Sequence, residues 1–149
     1  MVFATHMNVA LEEAEAAGAR GEVPVGAALA LDGVVVARAG NRCRELNDPT
    51  AHAEVLVIRE ACSKLGQERL EGAELYVTLE PCPMCAAAIS AARVARLYYG
   101  ASDAKSGGIE QGPKVFEHAQ CHHVPEVYTG IGKRASVALL DAFFAAKRG

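Results

Sequence analysis

The sequence predicts an α/β layered sheet, on three observations. Segments of β-rich composition alternate with segments whose apolar residues recur at helical spacing. The 149 residues match the common size of one domain. A composition of 51% hydrophobic and 22% charged residues, with 14 Gly and 6 Pro, belongs to a chain with a core and excludes disordered, collagenous and low-complexity classes. A single domain over residues 1–149 is expected.

From Thr5, residues Met7, Ala10, Leu11, Ala14 and Ala17 follow helical spacing, and Gly18 and Gly21 end the first helix. Val23 to Leu31 and Val34 to Ala39 flank Asp32-Gly33, a dipeptide that takes the positive φ values of a type I′ turn, so a hairpin follows. Asp48-Pro49 then offers an N-cap and a proline at the first helical position. Val55, Ile58, Cys62 and Leu65 hold one apolar face up to Gly66, which starts the second helix near His52. Leu75 to Leu79 and Leu97 to Gly100 read as strands on either side of an Ala-rich helix from Pro83 to Ala92. A last helix from Ala135 carries Leu139, Leu140, Phe143 and Phe144 and ends in Lys147-Arg148, basic residues that suit a helix C-terminus.

No linker and no internal repeat interrupts this order. No apolar run is long enough to span a bilayer, and Met1 to Ala10 lacks the pattern of a signal peptide, so a cytoplasmic protein without membrane association is expected. A net charge of −3 excludes a globally basic nucleic-acid binder, so any such contact must be local. The five cysteines, Cys43, Cys62, Cys82, Cys85 and Cys121, are an odd number better explained by metal binding or burial than by a disulfide framework.

The chemistry concentrates in His52-Ala53-Glu54 and Pro81-Cys82-Pro83-Met84-Cys85. His52, Cys82 and Cys85 suit zinc, and three protein ligands leave a fourth position for water, the mark of a catalytic site. Cys82 and Cys85, three apart at a helix start, share a face where the helix N-terminus favours thiolate. His52 and Glu54, two apart, converge only at a helix tip. There Glu54 can take a proton from an activated water and pass it to a leaving group. A structural zinc site would instead need a fourth ligand from Cys121, His122 or His123 and would leave Glu54 without a role. As a second metal site, Cys121-His122-His123 lacks further ligands at helical or turn spacing, and Cys62 reads as core.

His-Ala-Glu with Pro-Cys-x-x-Cys is the known hallmark of the zinc nucleotide deaminases. Within that superfamily, Glu22-Val23-Pro24-Val25-Gly26-Ala27, Asn41-Arg42, Asp48 to Glu54, Leu75 to Cys82 and Gly100 to Gly107 resemble the bacterial tRNA-specific adenosine deaminases, and the similarity runs from about Met7 to Arg148. The resemblance implies a three-layer α/β/α cytidine-deaminase-like fold with a mixed five-stranded central sheet, assembled as a homodimer, with one zinc per subunit and no nucleotide cofactor. It implies hydrolytic conversion of the wobble adenosine of a tRNA anticodon, chiefly of an arginine tRNA, to inosine with release of ammonia. Glu54 is then the catalytic proton shuttle. Substrate contacts fall on Val25 as a pocket wall, Asn41 and Ala53 at the base, Asp103 and Lys105 near the flanking nucleotide, and Phe143, Phe144 and Arg148 near the anticodon loop. The chain departs from some members with His122 in place of asparagine and Cys43 in place of proline. A local basic rim would draw on Arg42, Arg44, Lys105 and Lys114. Two rival readings remain at this stage: a guanine, nucleobase or nucleoside deaminase, and a noncatalytic zinc-stabilised RNA-binding module that would have no need of Glu54.

Overall fold

The computed structural model describes residues 2–148, and side chains from 5 to 147. Its elements are α1 (Val2–Ala19), β1 (Gly26–Leu31), β2 (Val34–Gly40), α2 (Cys43–Leu46), α3 (Ala53–Leu65), β3 (Glu74–Leu79), α4 (Pro83–Ala91), β4 (Arg96–Ala101), a 3₁₀ turn at Val115–Glu117, β5 (Glu126–Tyr128) and α5 (Lys133–Arg148). The strands form one mixed sheet in the order β2-β1-β3-β4-β5. β1 is antiparallel to both β2 and β3, whereas β3, β4 and β5 run parallel. Helices α1 and α5 cover one face and α3 and α4 the other, which gives the expected three layers.

The hairpin turns at Asp32-Gly33 with φ of 53° and 79°, as a type I′ turn requires. A register shift between Leu29 and Ala30 marks a β-bulge, where Val36 is the extra residue of β2. The larger core packs α3 and α4 through Val57, Ala61, Ala86 and Ile89 onto Leu29, Leu75, Val77, Leu97 and Tyr99. On the opposite face Met7 and Ala10 pack on Ala28, Ala30, Tyr76 and Tyr98. Tyr76, Tyr98 and Tyr128 stack across adjacent strands at 4.5 and 5.0 Å between ring centroids. α1 lies so close to the sheet that a Cβ on Gly26 would stand 2.0 Å from the Ala10 carbonyl oxygen, so only glycine fits there.

Two sequence expectations need correction. Asp48 does not cap α3: its Oδ1 accepts from the backbone N–H and hydroxyl of Thr50 at 2.8 and 2.7 Å, closing a local Asx turn, and Pro49 lies outside any helix. α3 starts at Ala53, and His52 is its extended N-cap residue, with φ −74° and ψ 151°. α5 begins at Lys133, before the expected Ala135. Residue patterning alone placed neither α2 nor the fifth strand that the resemblance implied, β5, each only three or four residues long.

Candidate metal and catalytic site

The parallel pair β3 and β4 ends at Leu79 and Ala101, and the chain leaves both strands toward one cleft, the usual place for a site in an α/β sheet. α4 starts directly after β3, with Cys82 as its N-cap residue and Pro83 at its first position. Cys82 and Cys85 are thereby fixed on the first turn. The start of α3 brings His52 to them, with its Nδ1 3.6 Å from Cys82 Sγ and 3.5 Å from Cys85 Sγ. All three donor atoms lie within 4.8 Å of one another, the one such cluster among the described residues. Tetrahedral zinc, with Zn–N of about 2.0–2.1 Å and Zn–S of about 2.3 Å, places a nitrogen and a sulfur ligand about 3.6 Å apart. The donor set and its spacing therefore fit zinc. Cys82 is pulled down to about 4 by a hydrogen bond from Cys85, with the His52 ring and the Cys85 backbone N–H adding to it, so the metal-binding thiolate is the stable form. Cys85 is fully buried behind it.

Glu54 is 4% exposed at the second position of α3, and its carboxyl group lines the same cavity. Burial pushes its pKa up to about 7. A carboxyl group near neutrality beside a candidate metal centre can both accept and return a proton.

Asn41, just past β2, accepts the Ala53 N–H on its Oδ1 at 2.8 Å. It thus caps α3 from twelve residues away, in the place where Asp48 was expected. The same bond orients the amide, because its oxygen must face Ala53 and its NH₂ must therefore face elsewhere. It also occupies the Ala53 N–H, so Ala53 presents no free donor to a ligand.

The cavity has a volume of about 690 Å³. Of the expected substrate residues, Val25, Asn41, Asp103, Lys105 and Phe144 line it together with His52, Glu54 and Cys82. Phe143 does not; it is half-buried, meets Phe144 edge to face at 5.3 Å, and carries Lys147 Nζ above its ring. The Arg148 side chain lies outside the described residues. One oxygen of Asp103 accepts from the N–H groups of Lys105 and Ser106 at 3.1 and 3.0 Å, so this residue shapes its own turn. In the expected basic rim, Arg42 pairs with Glu45 at 2.6 Å. The Cys121–His123 segment is a structural staple: Ser90 Oγ lies 3.2 Å from Cys121 Sγ, and the His123 ring bonds the Val94 carbonyl at 2.7 Å.

Sequence reasoning missed Val137, Leu140 and Asp141, which line the cavity with Phe144. Their spacing of three or four residues was the available signal for one face of α5. It also missed two buried carboxylates. Glu22 accepts the N–H groups of Arg44 and Glu45 at 3.0 and 2.9 Å and caps α2 beside Asn41. Although its burial opposes charge, those bonds and the nearby Arg20 and Arg44 hold its pKa below the usual value. Glu80, 2% exposed, is the second.

Comparison with known proteins bears on the same residues. The family model for the cytidine and deoxycytidylate deaminase zinc-binding region matches residues 3–101. A tRNA-specific adenosine deaminase of Agrobacterium fabrum is 61% identical over 149 residues, covering 99% of this chain and 98% of its own. One from Bacillus subtilis is 45% identical over 139 residues, covering 93% and 86%. A structure from a study of A-to-I editing by tRNA:A34 deaminases at the wobble position superposes with a TM-score of 0.90 at 62% identity, over 91% of this chain and 99% of that one. A guanine deaminase from Bacillus subtilis superposes with a TM-score of 0.65 at 30% identity, over 97% and 93%.

Proposed function

The chain belongs to the cytidine and deoxycytidylate deaminase zinc-binding family, and from that premise we propose that it deaminates the wobble adenosine of a tRNA anticodon, chiefly that of an arginine tRNA, to inosine. The observation that carries the reading is a zinc-spaced His52, Cys82 and Cys85, of which His52 and Cys82 open into one cavity with a buried Glu54. High identity over nearly the whole chain to tRNA-specific adenosine deaminases supports RNA over a free base.

His52, Cys82 and Cys85 would hold one zinc per chain, and zinc supplies Lewis-acid activation of water at neutral pH. Glu54 takes a proton from the attacking water and returns it to the departing amino group at C6 of the adenine. Its burial keeps bulk water from competing for that proton. Asn41, its amide oxygen held by Ala53, presents its NH₂ to a ring-nitrogen acceptor of the base, and Val25 supplies an apolar wall. The turn from Ser102 to Ser106 with Lys105 meets flanking nucleotides, and Phe144 offers a face on which an unstacked base can rest. Arg148, close to Phe144 in sequence, is assigned to the anticodon loop by resemblance alone.

The protein works as a cytoplasmic homodimer in this reading. The exposed face of α4, with Pro83, Met84, Ala87 and Ala91, supports close helix packing between copies. No described helix is long and apolar enough to cross a membrane. The test is inosine formation on an anticodon stem-loop, measured beside ammonia release from guanine, cytosine and free adenosine. Inosine on the stem-loop with no release from the small substrates is expected; release from guanine with none from the stem-loop would overturn the reading.

A further inference from the structure

Glu80 directly follows β3, two residues before Cys82, lines the cavity, and has no part in the metal binding, proton transfer or base recognition above. Both of its carboxylate oxygens are filled by a single stretch of chain more than twenty residues away. Oε1 accepts the Ser102 hydroxyl at 3.0 Å and the Asp103 N–H at 2.9 Å. Oε2 accepts the successive N–H groups of Ile109, Glu110 and Gln111, each at 3.0 Å. Consecutive amides aimed at one oxygen form an anion-binding concavity, and here the chain fills it with its own carboxylate.

The surroundings leave little freedom. Gln111 Nε2 donates to Ser102 Oγ at 3.1 Å, which directs the Ser102 proton to Glu80. The Gly108 N–H donates to the Pro81 carbonyl and the Glu80 N–H to the Ala101 carbonyl, both at 2.8 Å. A Cβ on Gly107 would stand 2.5 Å from the Glu80 carboxyl carbon, so the loop can close on that group only through glycine. Since every partner of Glu80 is a donor, a neutral amide of the same shape would set its NH₂ against N–H or O–H groups at either position. Many anchors could hold a surface loop. This one ties the cavity wall from Ser102 to Ser106 to the Pro81–Cys85 segment that carries two of the three metal ligands.

We infer that Glu80 is a positioning residue for the nucleic-acid substrate: it fixes the loop from Ser102 to Gln111, which meets the nucleotides flanking the reactive adenosine, in register with the metal-binding segment. The inference rests on the RNA-deaminase reading of the same cavity. Displacement of a positioning group by about 1 Å can cost on the order of 10²-fold in efficiency. Contacts to nonreacting parts of a substrate that are equal in ground and transition states appear in KM and leave kcat unchanged.

The experiment compares wild type with Glu80→Gln in steady-state kinetics on the anticodon stem-loop, in zinc content and in amide hydrogen exchange. Glu80→Gln should raise KM about tenfold or more with kcat changed less than about threefold, and keep its zinc. Protection of the Ile109, Glu110 and Gln111 amides should fall about tenfold or more while that of Tyr76 and Val77 in β3 holds. Gly107→Ala keeps the carboxylate but pushes the loop off it, should raise KM in the same way, and takes over the test if Glu80→Gln does not accumulate as folded protein. An unchanged KM, unchanged loop protection, or loss of zinc together with kcat would overturn the inference, the last because Glu80 would then be a support for Cys82. Absence of inosine with the wild-type protein would refute the RNA reading instead, and loop protection would still decide whether Glu80 holds the loop.

Discussion

Asn41 caps α3 and, in the proposed function, also contacts the base, and two substitutions divide these roles. Its Oδ1 is the acceptor for the N–H of Ala53, a residue with no exposed surface at the first turn of α3. Asn41→Ala leaves that buried donor unpaired, which costs about 1–3 kcal/mol, in line with the roughly 0.5–2 kcal/mol measured for lost helix caps. In a chain of this length each kcal/mol moves Tm by about 2–4 °C, so a drop of about 4–8 °C is expected for a cost near 2 kcal/mol. Asn41→Asp keeps an oxygen toward Ala53, and a carboxylate beside a helix N-terminus is favourable, so its Tm should stay near that of wild type. Its second oxygen, however, replaces the NH₂ that the proposed function sets against the base, and would oppose acceptor to acceptor. The mismatch should cost about 1–3 kcal/mol in the transition-state complex, or about 5- to 150-fold in kcat/KM. Thermal unfolding and stem-loop kinetics on both variants read the two duties independently. An Asn41→Ala protein that melts within about 1 °C of wild type would refute the capping role. An Asn41→Asp enzyme within about twofold of wild type would refute the base contact.

Glu54→Gln should retain fold and zinc while kcat falls by at least about 10²-fold, since the amide matches the carboxyl group in shape but cannot carry the proton. Metal analysis of protein purified without added metal should find one zinc per chain, lost in Cys82→Ala; full retention in that variant would contradict the ligand assignment. Asp103→Asn keeps the oxygen that accepts from Lys105 and Ser106, so the turn should hold while the charge is lost. If the carboxylate senses a 2′-hydroxyl, this variant should narrow the preference for an RNA over a matched DNA hairpin mainly by improving DNA, within a range of about 5- to 150-fold; equal losses on both would make Asp103 a turn residue only. Glu22 has a lowered pKa in the folded chain, so its carboxylate stabilises the fold above its ordinary value of 4.5, and that stability is lost as pH falls below it. Denaturation midpoints of wild type and Glu22→Gln should therefore differ at pH 7 and converge on acidification below that value; a constant gap would refute this.

The sequence by itself determined the features written in short-range patterns. Helical and alternating periodicities located α1, α3, α4, α5 and four of the strands, because local side-chain spacing decides which face of an element can be buried. Asp32-Gly33 set the hairpin turn through backbone sterics alone. His52, Glu54, Cys82 and Cys85 were legible because zinc chemistry restricts ligand type, because residues three apart share a helix face, and because residues two apart converge only at a helix start. Tertiary structure decided what depends on which distant backbone groups need partners. The cap of α3 came from Asn41 rather than the nearby Asp48, since Thr50 had already taken the Asp48 oxygen. β5 exists because β4 offers it an edge to pair with, and three residues are too few to show a period. Glu80 looked like one more charge in a motif, and its role became visible only when closure of the sheet brought five donors from Ser102 to Gln111 around it. A buried carboxylate is held in place by the groups that solvate it, and those groups lie beyond the reach of any local pattern.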